Sequence, residues 1–126
     1  MAKVKSIFVV DDNKMFAQML KDHLNENPQF KVSVYHTGED CLKNMYLSPD
    51  VVILDINLND ESKEAKNGLE ILAEIKKEIP SPHVIMLSSQ ERYGIALETI
   101  SKGAEQYIIK DKNAFENIDS YLKDLM

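Results

Sequence analysis

Residues 7–13 read IFVVDDN, four consecutive apolar residues followed directly by two acids and an amide. Uninterrupted apolar residues are typical of a β-strand that is covered on both faces, as in a parallel sheet. Three more short apolar runs follow along the chain, at residues 51–54, 84–87 and 107–109. A weaker run with alternating polarity, residues 31–35, is predicted to be an edge strand.

Segments with helical spacing separate these runs. Apolar residues recur at intervals of three and four within residues 15–24, 69–75, 95–100 and 115–125, and a shorter helix is predicted after an N-cap at Thr37. The helix that contains residues 69–75 is expected to stop at Pro80, and Gly103 is expected to be a left-handed C-cap of the helix that contains residues 95–100. Strand and helix alternate five times, with short links that imply right-handed crossovers. The sequence therefore predicts an α/β fold, a doubly wound, five-stranded parallel sheet of (βα)5 type in three α/β/α layers.

The composition is that of a soluble globular domain. The 126 residues are enough for one domain with a single core, which we expect to span residues 1–126. A net charge of −6 argues against binding nucleic acid or an anionic membrane through bulk charge. Cys41 has no second cysteine to pair with, so it is expected to fill core space in a reducing compartment. Because no apolar run approaches the roughly 20 residues of a membrane span, we expect a cytoplasmic protein.

Residues that can do chemistry follow four of the predicted strands. In an open parallel sheet the working site lies beyond the carboxyl ends of the strands. The residues found there are Asp11 and Asp12 after the first strand, Asp55 after the third, Ser88 after the fourth and Lys110 after the fifth. Taken singly, each also fits a helix cap, a strand end or a solvated surface position. Carboxylates gathered at one point repel each other, and ligands that are all oxygen favour Mg²⁺ as the counter-ion.

In these residues the chain resembles the receiver domain of two-component response regulators, a chemotaxis-regulator-like member of the flavodoxin-like fold. The resemblance covers nearly the whole chain, because the acid pair, Asp55, Ser88 and Lys110 occur in the family's order, with Tyr107 three residues before Lys110. It implies a phosphoacceptor domain rather than an enzyme acting on other substrates. Asp55 would take a phosphoryl group from a sensor histidine kinase or a phosphotransfer protein.

The resemblance also implies how the metal and the lifetime of the phosphoryl group are controlled. Mg²⁺ would be held by Asp11, Asp12, Asp55 and the backbone carbonyl of Asn57. The side chains of Asn57 and Gln90, two residues after Asp55 and Ser88 respectively, would flank the path of the hydrolytic water. Both are amides and can orient water without carrying charge.

Ser88, Lys110 and Tyr107 are the switch that the resemblance implies. Ser88 and Lys110 would contact the phosphoryl group, and Tyr107 would turn inward into the space that Ser88 leaves. This movement would change the face formed by the fourth helix, fifth strand and fifth helix. That face would then regulate a downstream effector or a fused output domain, and it would also be the interface of a homodimer.

The chain departs from the family pattern in two places. Residues 59–67 contain an insertion of about five residues before the third helix, with Asn59 where receivers commonly have proline. We expect this charged insertion to be an exposed extension. Lys110-Asp111 stands where many receivers have a cis Lys-Pro bond; a cis bond before a non-proline residue costs about 3–4 kcal/mol, so we expect a trans bond and a different placement of Lys110. The Lys-Asp variant also resembles receivers fused to DNA-binding domains, which suggests the N-terminal part of a longer regulator.

Three other functions fit parts of the pattern less well. A flavodoxin-like cofactor binder needs a phosphate-binding loop after the first strand, where the acid pair would repel phosphate. A Mg²⁺-dependent phosphatase with an aspartyl-phosphate intermediate usually has an Asp-x-Asp pair and a cap domain, whereas Asp11 and Asp12 are adjacent here. A phosphorylation-independent interaction module typically lacks the acid pair or the lysine, and this chain has both.

Overall fold

Five strands and five α-helices alternate within the part of the chain that the computed structural model describes, residues 4–58, 67–89 and 93–125. The strands are β1 (Lys5–Val10), β2 (Phe30–Tyr35), β3 (Val51–Asp55), β4 (His83–Ser88) and β5 (Gln106–Ile109). The helices are α1 (Lys14–Leu24), α2 (Gly38–Lys43), α3 (Gly68–Ile75), α4 (Tyr93–Ser101) and α5 (Ala114–Leu125), with a 3₁₀ turn at Met45–Leu47. The predicted (βα)5 order is confirmed.

The strands form one parallel sheet in the order β2-β1-β3-β4-β5. β3 lies at the centre and is buried at every position, as its uninterrupted apolar run predicts. β2 is an edge strand, as predicted. β5 is the other edge, and Ile108 is its one buried residue. From β1 the chain continues to β2 on one side of the sheet, and from β3 it continues to β4 and β5 on the other side. The switch in strand order therefore lies between β1 and β3.

Helices cover both faces of the sheet and give the predicted three layers. Ile7 and Val9 of β1 belong to one buried cluster, together with apolar residues of α1 and α5. Phe8 and Val10 point to the opposite face and belong to a second cluster, which includes apolar residues of α2 and α3. Cys41 is fully buried in the second cluster, which confirms the prediction that it fills core space.

Polar caps and glycines set the ends of several helices. Asn13 caps α1 and Thr37 caps α2, each accepting a hydrogen bond from a backbone N–H of the first turn. Asn67 and Glu70 form a reciprocal capping box at the start of α3. Gly103, after α4, has a φ of 107°, which confirms the predicted left-handed residue.

The structure corrects one predicted helix end and leaves two expectations outside its range. α3 ends at Ile75 rather than continuing to Pro80, because the chain turns directly after its last buried apolar residue. Residues 59–66 of the insertion and Gln90 lie outside the described residues. None of the helices in the described ranges combines the length and the apolar character that a membrane span requires.

Candidate functional site

The three predicted acids lie together at the carboxyl edge of the sheet. One carboxylate oxygen from each of Asp11, Asp12 and Asp55 lies within 4.8 Å of the other two. Asp11 is completely buried and Asp55 is 2% exposed, whereas Asp12 is exposed. The fold produces this arrangement because Asp55 ends β3 and the acid pair directly follows β1, on the two strands that flank the switch in strand order.

Lys110 joins two of these acids. Its Nζ lies 2.7 Å from Oδ2 of Asp11 and 3.1 Å from Oδ2 of Asp55, and its side chain is only 13% exposed. Burial alone lowers the pKa of Lys110, but the hydrogen bond to Asp11 and the charges of Asp55 and Asp11 outweigh burial, so the pKa is raised. The ammonium therefore stays charged near neutral pH.

The peptide bond between Lys110 and Asp111 allows the lysine side chain to reach the acid cluster. The cis peptide bond of the described residues is Ile79–Pro80, and Lys110-Asp111 is trans, as expected. The backbone N–H of Lys110 donates to the carbonyl of Ser88, 2.8 Å away, which fixes the end of β5 against β4. The trans bond does not keep the lysine from reaching the two carboxylates.

Asp11 has an electrostatically unfavourable environment. Its burial and the nearby charge of Asp55 raise its pKa from 3.8 to about 6, despite the opposing effects of Lys110 and of the Asn13 backbone N–H, 2.9 Å from Oδ1. With all three acids ionised, the three negative charges exceed the single positive charge of Lys110. The ligands are all oxygen and the cluster has a surplus of negative charge, so these residues fit a hard divalent cation.

The side chain of Asp55 is held by both of its oxygens. Oδ1 accepts a hydrogen bond from the backbone N–H of Asn57 at 3.0 Å, and Oδ2 faces Lys110. The Asn57 amide also donates to Ser89 Oγ at 3.3 Å, which links the loops after β3 and β4. A Cβ at Gly68 would lie 2.5 Å from the Asp55 carbonyl oxygen, so only glycine lets α3 begin this close to the acid.

Ser88 and Tyr107 lie on the neighbouring strands. Ser88 ends β4 and is 3% exposed, one residue after Leu87, which is the register partner of Asp55. Tyr107 is half-buried on β5 and packs against the second apolar cluster. Ser88 is thus at the same edge as the acids, while Tyr107 is set back along β5.

Three residues at this edge were not assigned a site role from the sequence. Asn13 fits a helix cap from its place in the sequence, and Phe16 lies within the apolar pattern of residues 15–24. The ring of Phe16 nevertheless lies 4.6 Å from Lys110 Nζ, measured to its centroid. His36 Nδ1 lies 3.1 Å from the backbone oxygen of Asp11. Their positions in the sequence could have indicated that they lie near the site. The helix α1 starts two residues after Asp12, and His36 directly follows β2, the neighbour of β1.

Comparison with known proteins identifies the family. Residues 7–122 match the response regulator receiver domain. The chemotaxis protein CheY of Listeria monocytogenes is 31% identical over 82% of this chain and 84% of its own length. A protein-glutamate methylesterase/protein-glutamine glutaminase of Oceanobacillus iheyensis is 38% identical over 87% of this chain, which spans only 30% of that relative's length.

Solved structures agree with this match. The BeF3-activated DrrB receiver domain superposes with a TM-score of 0.82 and 30% identity over 96% of each chain. The response regulator domain of Thermotoga maritima CheB gives a TM-score of 0.77 and 29% identity over 97% of this chain and 92% of that one. The sequence match and the shared fold thus extend over almost the whole chain, which belongs to the response regulator receiver domain family, the phosphoacceptor signalling domain of two-component systems.

Proposed function

We propose that Asp55 is the residue that accepts the phosphoryl group, from a phosphohistidine of a sensor histidine kinase or a phosphotransfer protein. The observation that carries this proposal is the placement of Lys110 Nζ 3.1 Å from Asp55 Oδ2, within a cluster of three acids. An oxygen of the ionised carboxylate would attack phosphorus, and the phosphorus–nitrogen bond to the donor imidazole would break, its electrons passing to the ring nitrogen. No added base is needed, because the attacking carboxylate carries no proton.

Charge neutralisation is the principal requirement of this reaction. The residues proposed to hold Mg²⁺ are Asp11, Asp12, Asp55 and the Asn57 carbonyl, and the bound ion would offset negative charge on the phosphoryl oxygens. Lys110 is already buried beside the acceptor and would pair with one of those oxygens. Ser88, at the same edge, would donate its hydroxyl hydrogen to another.

Phosphorylation would act on the output face through Ser88 and Tyr107. It adds about two negative charges and three acceptor oxygens at the end of β3. Charge-assisted hydrogen bonds are worth about 1.5–3 kcal/mol each, so a few of them shift a two-state equilibrium whose gap is of similar size. We propose that Ser88 moves toward the phosphoryl group and Tyr107 turns inward, which would change the surface of α4, β5 and α5.

The remaining roles are proposed on family grounds. Asn57, whose amide contacts Ser89, and Gln90 would adjust the lifetime of the phosphorylated form. The domain would promote only its own phosphorylation and dephosphorylation, in the cytoplasm. Its partners would be the kinase and an effector, fused to it or separate, with homodimerisation through the face of α4, β5 and α5 as a further mode.

A small-molecule phosphodonor tests the proposal without knowledge of the kinase. The chain incubated with acetyl phosphate should gain one phosphoryl group by intact mass, and only when Mg²⁺ is present. Asp55→Asn should gain none, whereas the matched variant Asp111→Asn, which changes an exposed acid beside Lys110, should behave as the wild type. Equal incorporation in Asp55→Asn and wild type would overturn the assignment of Asp55.

A further inference from the structure

We infer that Phe16 is a positioning residue: its aromatic face holds the ammonium of Lys110 beside Asp55. The inference rests on the proposed role of Asp55, because it concerns the lysine that would neutralise the incoming phosphoryl group. Phe16 lies in the first turn of α1, on the side of the sheet that also carries α5. Its ring contacts the ammonium of Lys110.

The contact has the geometry of a cation–π interaction. Lys110 Nζ lies over the Phe16 ring, 4.6 Å from its centroid, within the roughly 6 Å at which such contacts are attractive. The same nitrogen lies 2.7 Å from Asp11 Oδ2 and 3.1 Å from Asp55 Oδ2. The ammonium therefore has two carboxylates and one aromatic face around it, and its side chain is only 13% exposed.

An aromatic ring suits this place for an electrostatic reason. A third carboxylate would hold the lysine too, but it would compete with the phosphoryl group for the positive charge. An alkyl side chain would remove water from the ammonium and offer nothing in return, which favours loss of its proton. The ring attracts the cation through its quadrupole and carries no net charge, so the full charge of Lys110 remains available to phosphate.

The ring is itself held in place by the elements around it. The backbone N–H of Phe16 donates to the Asn13 side chain at 3.0 Å, and the Asn13 N–H donates to Asp11 Oδ1 at 2.9 Å. The ring of Phe16 packs edge-to-face on Phe115 of α5, with centroids 5.8 Å apart. The position of the aromatic face is therefore tied both to the acid cluster and to α5.

A free lysine side chain has four carbons and many rotamers, so two carboxylates alone leave the ammonium able to shift toward either one. Asp11 is the closer partner at 2.7 Å. A fixed aromatic face reduces the positions that the ammonium can occupy while it remains within reach of Asp55. Removal of the ring should therefore slow phosphorylation and leave binding of the metal, whose proposed ligands do not include Phe16, unchanged.

A series of fluorinated phenylalanines at position 16 tests the inference. One, two or three fluorine atoms weaken the attraction of the ring for a cation progressively and change its shape little. The rate of phosphorylation by acetyl phosphate should fall stepwise along the series, and Phe16→Leu should lower it by about three- to tenfold. The same fluorinated residues at Phe30, which begins β2 at the opposite end of the sheet, should leave the rate at the wild-type value.

Two further measurements separate positioning from general disruption of the site. The dissociation constant of Mg²⁺, measured directly by titration, should be the same in wild type and Phe16→Leu. In NMR spectra the methylene protons next to the Lys110 ammonium should be shifted by the Phe16 ring current and should return toward ordinary lysine values in Phe16→Leu.

The outcomes distinguish this inference from the proposed function. A flat response to fluorination, equal slowing from fluorination at Phe30, or lysine protons unaffected by Phe16→Leu would overturn the role of Phe16 while leaving Asp55 as the acceptor. Wild-type chain that takes no phosphoryl group on Asp55 would overturn the proposed function. The NMR comparison would still test, in that case, whether the ring holds the ammonium.

Discussion

Asp11 is a carboxylate without solvent exposure that lies beside a second buried carboxylate, Asp55. Burial is the largest cause of its raised pKa, about 6, and the charge of Asp55 adds to it. In the unfolded chain the same group titrates near its ordinary value of 3.8. Between pH 4 and 6 the folded state therefore binds a proton that the unfolded state has lost, and the contribution of Asp11 to stability falls as the pH rises.

Asp11→Asn should therefore stabilise the metal-free protein at pH 7.5. The expected gain in the free energy of unfolding is on the order of 1–3 kcal/mol, and it should disappear below pH 4, where the wild-type carboxyl is protonated in both states. Urea unfolding at both pH values measures it. Added Mg²⁺ should raise the stability of wild type and not that of Asp11→Asn. Equal stability of the two proteins at pH 7.5, or a gap that persists at low pH, would contradict this account of Asp11.

The sequence alone predicts the site role of some residues at the carboxyl edge and not of others. Asp11, Asp12 and Asp55 could be brought together from the sequence because each follows an apolar run, and parallel strands place their carboxyl ends at one edge. Phe16 could not be assigned, because an aromatic residue in an amphipathic helix looks the same whether it packs on a core or on a cation. Only the rotation of α1 about its axis decides between these two roles.

At the scale of elements, the start of α1 connects the acid cluster to the lysine. The Asn13 side chain accepts from the backbone N–H of Phe16, while the Asn13 N–H donates to Asp11. A single residue thus ends the β1 loop, caps the helix and fixes the backbone of the residue whose ring contacts Lys110. A well-ordered first turn of α1 therefore stabilises the helix and also fixes the residue that contacts Lys110.

Loss of this cap should have two effects. Asn13→Ala should lower the free energy of unfolding by about 1 kcal/mol, because an N–H of the first turn loses its partner. It should also slow phosphorylation, since the backbone under Phe16 is less well fixed. Thr37→Ala is the matched control, because the Thr37 side chain accepts a hydrogen bond from the Asp40 backbone N–H and caps α2 in the same way. This variant should lower the free energy of unfolding by a similar amount without slowing phosphorylation.

Urea unfolding and acetyl phosphate labelling measure these two effects, and Asn13→Ser, which retains a capping side chain, should restore both. If Thr37→Ala slowed phosphorylation as much as Asn13→Ala, the effect would reflect stability in general rather than the α1 cap.

Most elements could be predicted because their signals are local. The Thr37 cap, the glycine at 103 and the apolar run of β3 each act within a few residues of their own position. β5 has a similar apolar run, yet it lies at an edge and Ile108 is its one buried residue. Its local sequence could not reveal this, because the order of strands in a sheet depends on contacts between distant parts of the chain. The early end of α3 at Ile75 likewise depends on tertiary packing, since the helix stops where its buried stripe does.

At the scale of the molecule, the fold separates packing from chemistry. Two apolar clusters, one on each face of the sheet, pack around the strands, and the buried carboxylates Asp11 and Asp55 lie at the carboxyl edge. A rigid support is needed there, because repulsion among Asp11, Asp12 and Asp55 would separate them on flexible loops. The same repulsion favours positive charge at this edge, and a divalent cation together with Lys110 would supply the charge neutralisation that an aspartate needs to accept a phosphoryl group.

The most direct test of the central claim is to find which residue carries the phosphoryl group. Borohydride reduces an acyl phosphate to an alcohol, so phosphorylated protein reduced in this way and digested can be sequenced by peptide mass spectrometry. We predict that the reduced residue is at position 55, and that no reduced residue is found there when Mg²⁺ is withheld. Reduction at Asp12 or Asp111 in place of Asp55 would contradict the account.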